Sequence, residues 1–172
     1  GAALAGGMTI DSIDAHDGFY GAKGHVGCGV LPSVVAFADI TKTQGGYSFL
    51  TDIVLGYELG SRLALALHAS ASDYHTSGAW ISIAVAALGA RRLKLGYEQT
   101  RHALGIAEYH GPRSQMMRCI DHPTMLKDGS GVGAMVGVSA AFLAKKNFTG
   151  APAITVENLD NVNIWQDLGK RW

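Results

Sequence analysis

Ala79-Trp80-Ile81-Ser82-Ile83-Ala84-Val85-Ala86-Ala87-Leu88-Gly89-Ala90-Arg91-Arg92 is apolar around the whole helical wheel until its two closing arginines. A helix without a polar face must be surrounded by other elements. Residues 79–92 are therefore expected to run through the middle of a bundle. Gly129 to Lys146 has the same character, with Gly133 and Gly137 offering flat backbone for close packing. Asn147-Phe148-Thr149-Gly150 closes it, using Gly as a stop.

Working outward, residues 2–14 carry Leu4, Met8 and Ile13 among small residues and fit a tightly packed helix. Ser33 to Ile40 reads as a short helix with Pro32 at its first turn. Gln44-Gly45-Gly46 is a turn. Ser48 to about His68 is a long helix with Leu50, Ile53, Val54, Tyr57 and Leu63 on one face. Glu58 and Arg62 form an i,i+4 pair on the other. Residues 70–78 are a polar loop. Tyr97 to Ile106 is a helix in which Glu98 faces Arg101 and His102, and a long loop covers 110–128. Beyond 150, Ile154-Thr155-Val156-Glu157 reads as extended and Val162 to Leu168 as a short helix. Strand alternation is nearly absent elsewhere. The fold class is all-α: a multi-helix bundle, one domain over 1–172, without repeats.

The chain has 172 residues, 48% of them hydrophobic and only 16% charged. Soluble domains carry roughly 25% charged residues, so a large share of this surface is expected to be covered by a partner subunit or by more of the same chain. Formal net charge is zero, with 14 basic and 14 acidic residues, which excludes the basic footprint of a nucleic-acid binder. Arg91, Arg92 and Lys94, and Lys170 with Arg171, read as solvated helix ends. Cys28 and Cys119 make no disulfide framework and lack ligand spacing, which points to a reduced, cytoplasmic setting. The longest apolar run, Ile81 to Ala90, is about half of the ~20 residues a membrane span requires, and no secretory signal is visible. Neither end has the polar, capped character of a domain edge, so the sequence reads as an internal segment of a longer polypeptide.

Three stretches carry chemistry. Asp11, Asp14, His16, Asp17, Lys23 and His25 crowd one helix end and the glycine-rich loop 17–29, whose five glycines permit close approach to a bound molecule. Mixed charge there favours the perturbed pKa values that acid–base work needs. Asp73-Tyr74-His75-Thr76 stands at the mouth of the buried helix, where donors and terminal amides suit a carboxylate. Arg113, Arg118 and Lys127 are candidate anion binders. Gly129-Ser130-Gly131-Val132-Gly133 has no preceding strand and no Gly-Lys-Ser/Thr, which excludes a phosphate loop. His16, Asp17 and His25 come nearest to a ligand set, but without HExxH or CxxC no metal is expected. The absence of Gly-x-Ser-x-Gly argues against a serine hydrolase.

Asp14-Ala15-His16-Asp17-Gly18, Gly24-His25 and Leu31-Pro32 resemble the Asp-x-Asp-Asp-Thr, Gly-His-Pro-Ser and Pro-Ala segment of the MmgE/PrpD (2-methylcitrate dehydratase-like) family. Gly56-Tyr57-Glu58-Leu59-Gly60-Ser61-Arg62-Leu63 is similar to its Gly-Tyr-Glu-Val-x-x-Arg-Leu helix, and Tyr74-His75-Thr76-Ser77-Gly78 to its His-x-Thr-Gly loop. Ala103-Leu104-Gly105-Ile106-Ala107 and Gly137 to Ala144, closed by Phe148-Thr149-Gly150, follow in the same order.

The resemblance implies a metal-free, cofactor-free lyase, a dehydratase or decarboxylase, working as a homodimer on a small di- or tricarboxylate. It also implies that this chain is most of a helical domain whose α+β lid belongs to the remainder of the polypeptide. Asp14 matches a pocket Asp, His25 a pocket His, His75 the His of the substrate loop, and Lys127 a pocket Lys. On this reading His25 is the general acid/base, Asp14 orients it, and Asp14, His25 and Lys127 are catalytic. Lys127, His75 and Lys23 would hold substrate carboxylates, with Asp17 and Thr76 beside them. Gly18, Val26 and His16 stand where the family has Thr, Pro and Asp, which leaves the substrate open. An epimerase using the same pocket and a non-catalytic helical interaction module remain as alternatives.

Overall fold

The segment at 79–92 becomes α4 (Gly78–Arg92), buried from Gly78 to Ala90 except at Ala87. It lies in a computed structural model that describes residues 1–15, 17–42 and 45–158. His16, Gln44 and the helix read at Val162 to Leu168 fall outside the described residues, as does the Lys170–Arg171 pair. Among the described residues the other helices are α1 (Ala2–Ser12), α2 (Gly27–Thr41), α3 (Gly46–Ser70), α5 (Tyr97–His110), α6 (Met117–Asp121), α7 (Ser130–Lys145) and α8 (Ile154–Glu157). A hairpin pairs β1 (Gly18–Phe19) with β2 (Gly24–His25), antiparallel, Gly18 opposite His25.

Helix α4 packs most extensively on α7 and also touches α2, α3 and α5, while α1 lies across α2 and α7. The α4–α7 contact is backbone on backbone. A Cβ on Gly133 would stand 2.5 Å from the Gly78 carbonyl oxygen, and one on Gly137 2.5 Å from that of Ser82. Glycine is needed there because nothing larger fits. The core around Trp80, Phe37, Ile81, Ile83 and Leu88 draws on α2 and α4, closed by α3 and α7.

Several expectations change. Helix α2 begins at Gly27 rather than Ser33, which puts Pro32 inside it. Asp17 supports that early start, its Oδ1 accepting the Gly27 N–H at 3.2 Å. The face of α3 turned inward is Asp52, Gly56, Gly60, Leu63, Ala64 and Leu67, while Leu50 and Val54 are exposed. Small residues win because Val26, just before α2, Val30 of α2 and Trp80 and Leu88 of α4 press on Gly56 and Gly60. Arg91 is exposed, as a solvated end should be, but Arg92 is enclosed, and both pair with Asp52, which has no exposed surface. A buried carboxylate needs a cation close by, and this pairing ties α3 to α4. Glu58 and Arg62 do pair, Arg62 Nε donating to Glu58 Oε1 at 2.6 Å. Arg101 instead grips Glu157 with two nitrogens at 2.9–3.0 Å. Residues 154–157 are a helical turn, not extended, because Glu108 accepts the Ile154 and Thr155 N–H groups at 2.7 and 2.8 Å.

Candidate functional site

Four element ends converge beside β2. Asp11 closes α1, Cys28 lies in the first turn of α2, Ser77 precedes α4, and Asp128 precedes α7. The hairpin turns at Tyr20–Ala22 and Lys23, whose left-handed backbone (φ 53°) delivers His25 into this junction. His25 Nδ1 lies 3.1 Å from Asp128 Oδ2. Ser77 Oγ donates to the same Asp128 oxygen at 3.2 Å and accepts the His25 backbone N–H at 3.4 Å. Asp128 is 6% and Ser77 2% exposed, so the ring is clamped from the protein side.

Beneath it, Cys28 Sγ donates to Ser130 Oγ at 3.1 Å and lies 3.9 Å from His25 Nδ1. Asp11 Oδ2 accepts the Ser130 N–H at 3.4 Å, so the fully buried Asp11 side chain near the end of α1 caps the start of α7. Burial pushes the Cys28 thiol up to about 12; the bond to Ser130 opposes this, and Asp11, Asp17 and Asp128 reinforce it. One ligand atom each from Asp11, His25 and Cys28 lies within 4.8 Å of the others, a set with metal-ligand chemistry. Sequence spacing did not suggest that set.

Outward from His25, a hollow of about 320 Å³ is lined by Asp14, Tyr74, Cys119, Lys127 and Asp128 as well as His25. Asp14 has a left-handed backbone (φ 52°), which Asp tolerates better than most residues. Its Oδ1 accepts from Lys127 Nζ at 2.6 Å. That bond raises the Lys127 ammonium above its ordinary pKa. Asp14, His25 and Lys127, read as catalytic, therefore share one hollow.

The remaining site residues spread around it. Thr76, 4% exposed, lines an adjoining cleft with Lys127 and Arg118. Lys23 lines a third hollow with His25 and Tyr74, its Nζ 5.9 Å from the Tyr74 ring centre. Asp17 faces the start of α2 and the Tyr57 hydroxyl, which donates to it. Burial, then that carboxylate, pushes the Tyr57 pKa up. His75 does not line the hollow with Asp14: its Nδ1 meets the Asp73 carbonyl oxygen at 2.7 Å, and its backbone bridges to Gln115.

Sequence reading gave no role to Asp128, Ser77 or Cys28. An Asp before a glycine and a helix looks like a cap, and only the fold brings it to an imidazole from the far end of the chain.

A helical bundle with an imidazole, a carboxylate and an ammonium around one hollow is the setting in which the comparisons fall. The MmgE/PrpD N-terminal domain family matches residues 1–160, and the chain belongs to that family. Over 115 residues it is 28% identical to a Cis-aconitate decarboxylase-like protein, oryM, of Aspergillus oryzae, across 62% of this chain and 24% of that protein. The chain spans about a quarter of the length of the relative it matches.

Proposed function

We propose that the full-length protein is a lyase acting on a small di- or tricarboxylate, moving a proton at the carbon next to a carboxylate. The observation that carries this reading is the pairing of His25 with Asp128 and of Lys127 with Asp14 around a single hollow. His25 exchanges the proton. Negative charge spreads onto the adjacent carboxylate as it leaves, and a cation fixed beside that group lowers the barrier. Lys127 supplies the cation, Lys23 offers a further donor from the neighbouring hollow, and Thr76 borders the cleft that would receive the distal carboxylates; His75 shapes the adjoining loop through Asp73 and Gln115. Asp14 shares the proton traffic, and Asp17 acts by supporting α2.

The family and the decarboxylase-like relative support dehydration or decarboxylation. The same hollow holds two acid–base groups, Asp14 and His25, and that observation favours an epimerase as second reading. No helix among the described residues is long and apolar enough to cross a membrane. We propose a reduced, cytoplasmic compartment, a reading that two free cysteines support. We also propose a homodimer and a lid domain from the rest of the polypeptide, with no metal and no cofactor, which would leave this segment inactive alone. Exposed Leu31, Val35, Leu50 and Val54 support covering by further protein.

Incubating full-length protein with citrate-like di- and tricarboxylates and reading products by mass tests the reading. Loss of water or CO2 from one of them is expected. Deuterium uptake with no change in composition would select the epimerase, and inertness toward every acid would overturn both.

A further inference from the structure

We propose that Asp128 is the positioning residue of His25: it takes the proton on Nδ1 and leaves Nε2 as the atom that exchanges a proton with substrate. The proposal rests on the lyase reading for its catalytic consequence, but not for its geometry.

The two ring nitrogens of a histidine are distinct, and the bond made by one decides what the other does. Here Nδ1 faces a carboxylate oxygen at 3.1 Å. A carboxylate only accepts, so the nitrogen facing it carries the proton. Asp128 is itself fixed, its Oδ2 receiving Ser77 Oγ and its backbone carbonyl oxygen receiving the Gly78 N–H at 3.1 Å. Ser77 also holds the His25 backbone. The three residues form a closed ring across β2, the start of α4 and the approach to α7. Such a ring sets the tilt of the imidazole as well as its tautomer. When Nε2 takes a proton from carbon, the new positive charge sits against a carboxylate that is nearly sealed from water, where electrostatics are strong. Asp14 was the expected partner from sequence; its Oδ1 is on Lys127 at the hollow's outer side.

Other ionisable groups near the ring are Asp11 of α1, Cys28 of α2, Lys23 of the hairpin turn, and Tyr74, Asp14, Cys119 and Lys127 around the hollow. The test must therefore isolate Asp128. Nitrogen-15 NMR of the His25 ring in full-length protein reads tautomer and titration directly, without turnover. In the wild type, neutral His25 should carry its proton on Nδ1. In Asp128→Ala the ring should shift toward the Nε2–H form and titrate at lower pH. In Asp128→Glu, which restores a carboxylate, it should recover in part. With a turned-over substrate, Asp128→Ala should lower kcat about 10- to 100-fold, less than the roughly 100- to 10,000-fold that general acid–base catalysis itself contributes, and change KM less than about twofold. An Nε2–H ring in the wild type, or unchanged tautomer and titration in a folded Asp128→Ala, overturns the proposal. Inertness toward all polycarboxylates with an Asp128-dependent tautomer would instead overturn only the lyase reading.

Discussion

Lys127 Nζ donates to Asp14 Oδ1 at 2.6 Å, joining the approach to α7 to the segment that follows α1. The bond raises the lysine pKa from 10.5, so the ammonium stays charged throughout neutral pH. A substrate carboxylate entering the hollow meets a cation that is already placed.

Replacing that cation should weaken substrate binding. A hydrogen bond to a charged group contributes about 1.5–3 kcal/mol, so Lys127→Ala is expected to raise KM on the order of 10- to 100-fold. Because Lys127 does not titrate between pH 6 and 9, the wild-type KM should show no inflection from it there. Steady-state kinetics of the full-length enzyme check both points, and an unchanged KM in Lys127→Ala would remove Lys127 from the binding site.

Cys28 should behave as an inert thiol. At a pKa near 12 its thiolate fraction at pH 8 is about 1 in 10,000, and only the thiolate reacts. Alkylation of the native protein followed by peptide mapping is expected to label the less buried Cys119 first. The metal-free reading further predicts that cobalt(II) gives no thiolate charge-transfer band, although Asp11, His25 and Cys28 stand close enough to ligate. A band abolished by Cys28→Ser would contradict it.

Acid should weaken the fold through His68. Burial lowers the His68 pKa below 6.5 in the folded chain, with Lys23, Tyr74 and His75 facing it. The unfolded chain then binds the proton first as pH falls, and unfolding gains. The stability owed to neutral His68 is complete above about pH 6.5 and is lost as pH falls toward the depressed folded value. In His68→Gln the drop in Tm between pH 7.5 and 5.5 should shrink; an unaltered drop would count against this account.

The α4–α7 contact predicts a steep response to one methyl group. A Cβ on Gly137 would sit 2.5 Å from the Ser82 carbonyl oxygen and 2.6 Å from Val85 Cβ. Overpacking of this kind costs about 1–3 kcal/mol, which corresponds to roughly 2–4 °C per kcal/mol at this size. Gly46, where an added Cβ would meet nothing within 4 Å, serves as the control. Gly137→Ala should lower Tm by several degrees and Gly46→Ala should not; equal effects would mean the helices do not meet at Gly137.

What the sequence made legible follows from the range of the signals. Helices α4 and α7 were readable because an apolar wheel and paired glycines are local patterns, and the chemistry of residues 11–25 was readable because its titratable groups are neighbours in the chain. The start of α2 was hidden because Gly27 and Gly29 resemble loop residues, and only the fold brings Asp17 onto the Gly27 N–H. Two-residue strands are too short to alternate, so the hairpin left no period to detect. The inward face of α3 was misjudged because glycine and alanine, not Leu50 or Val54, make the closest approach. Asp128 was passed over because its partner is His25, from the other end of the chain, and no spacing rule spans that interval.

The central claim is that His25 is the proton-transfer group of a carboxylate-binding hollow. Solvent-deuterium incorporation into the polycarboxylate turned over by the full-length protein, followed by NMR in D2O for wild type and His25→Ala, measures it most directly. The account predicts label at the carbon beside a carboxylate in the wild type and a rate about 100-fold lower or worse in the variant. Equal incorporation by a folded His25→Ala protein would contradict it.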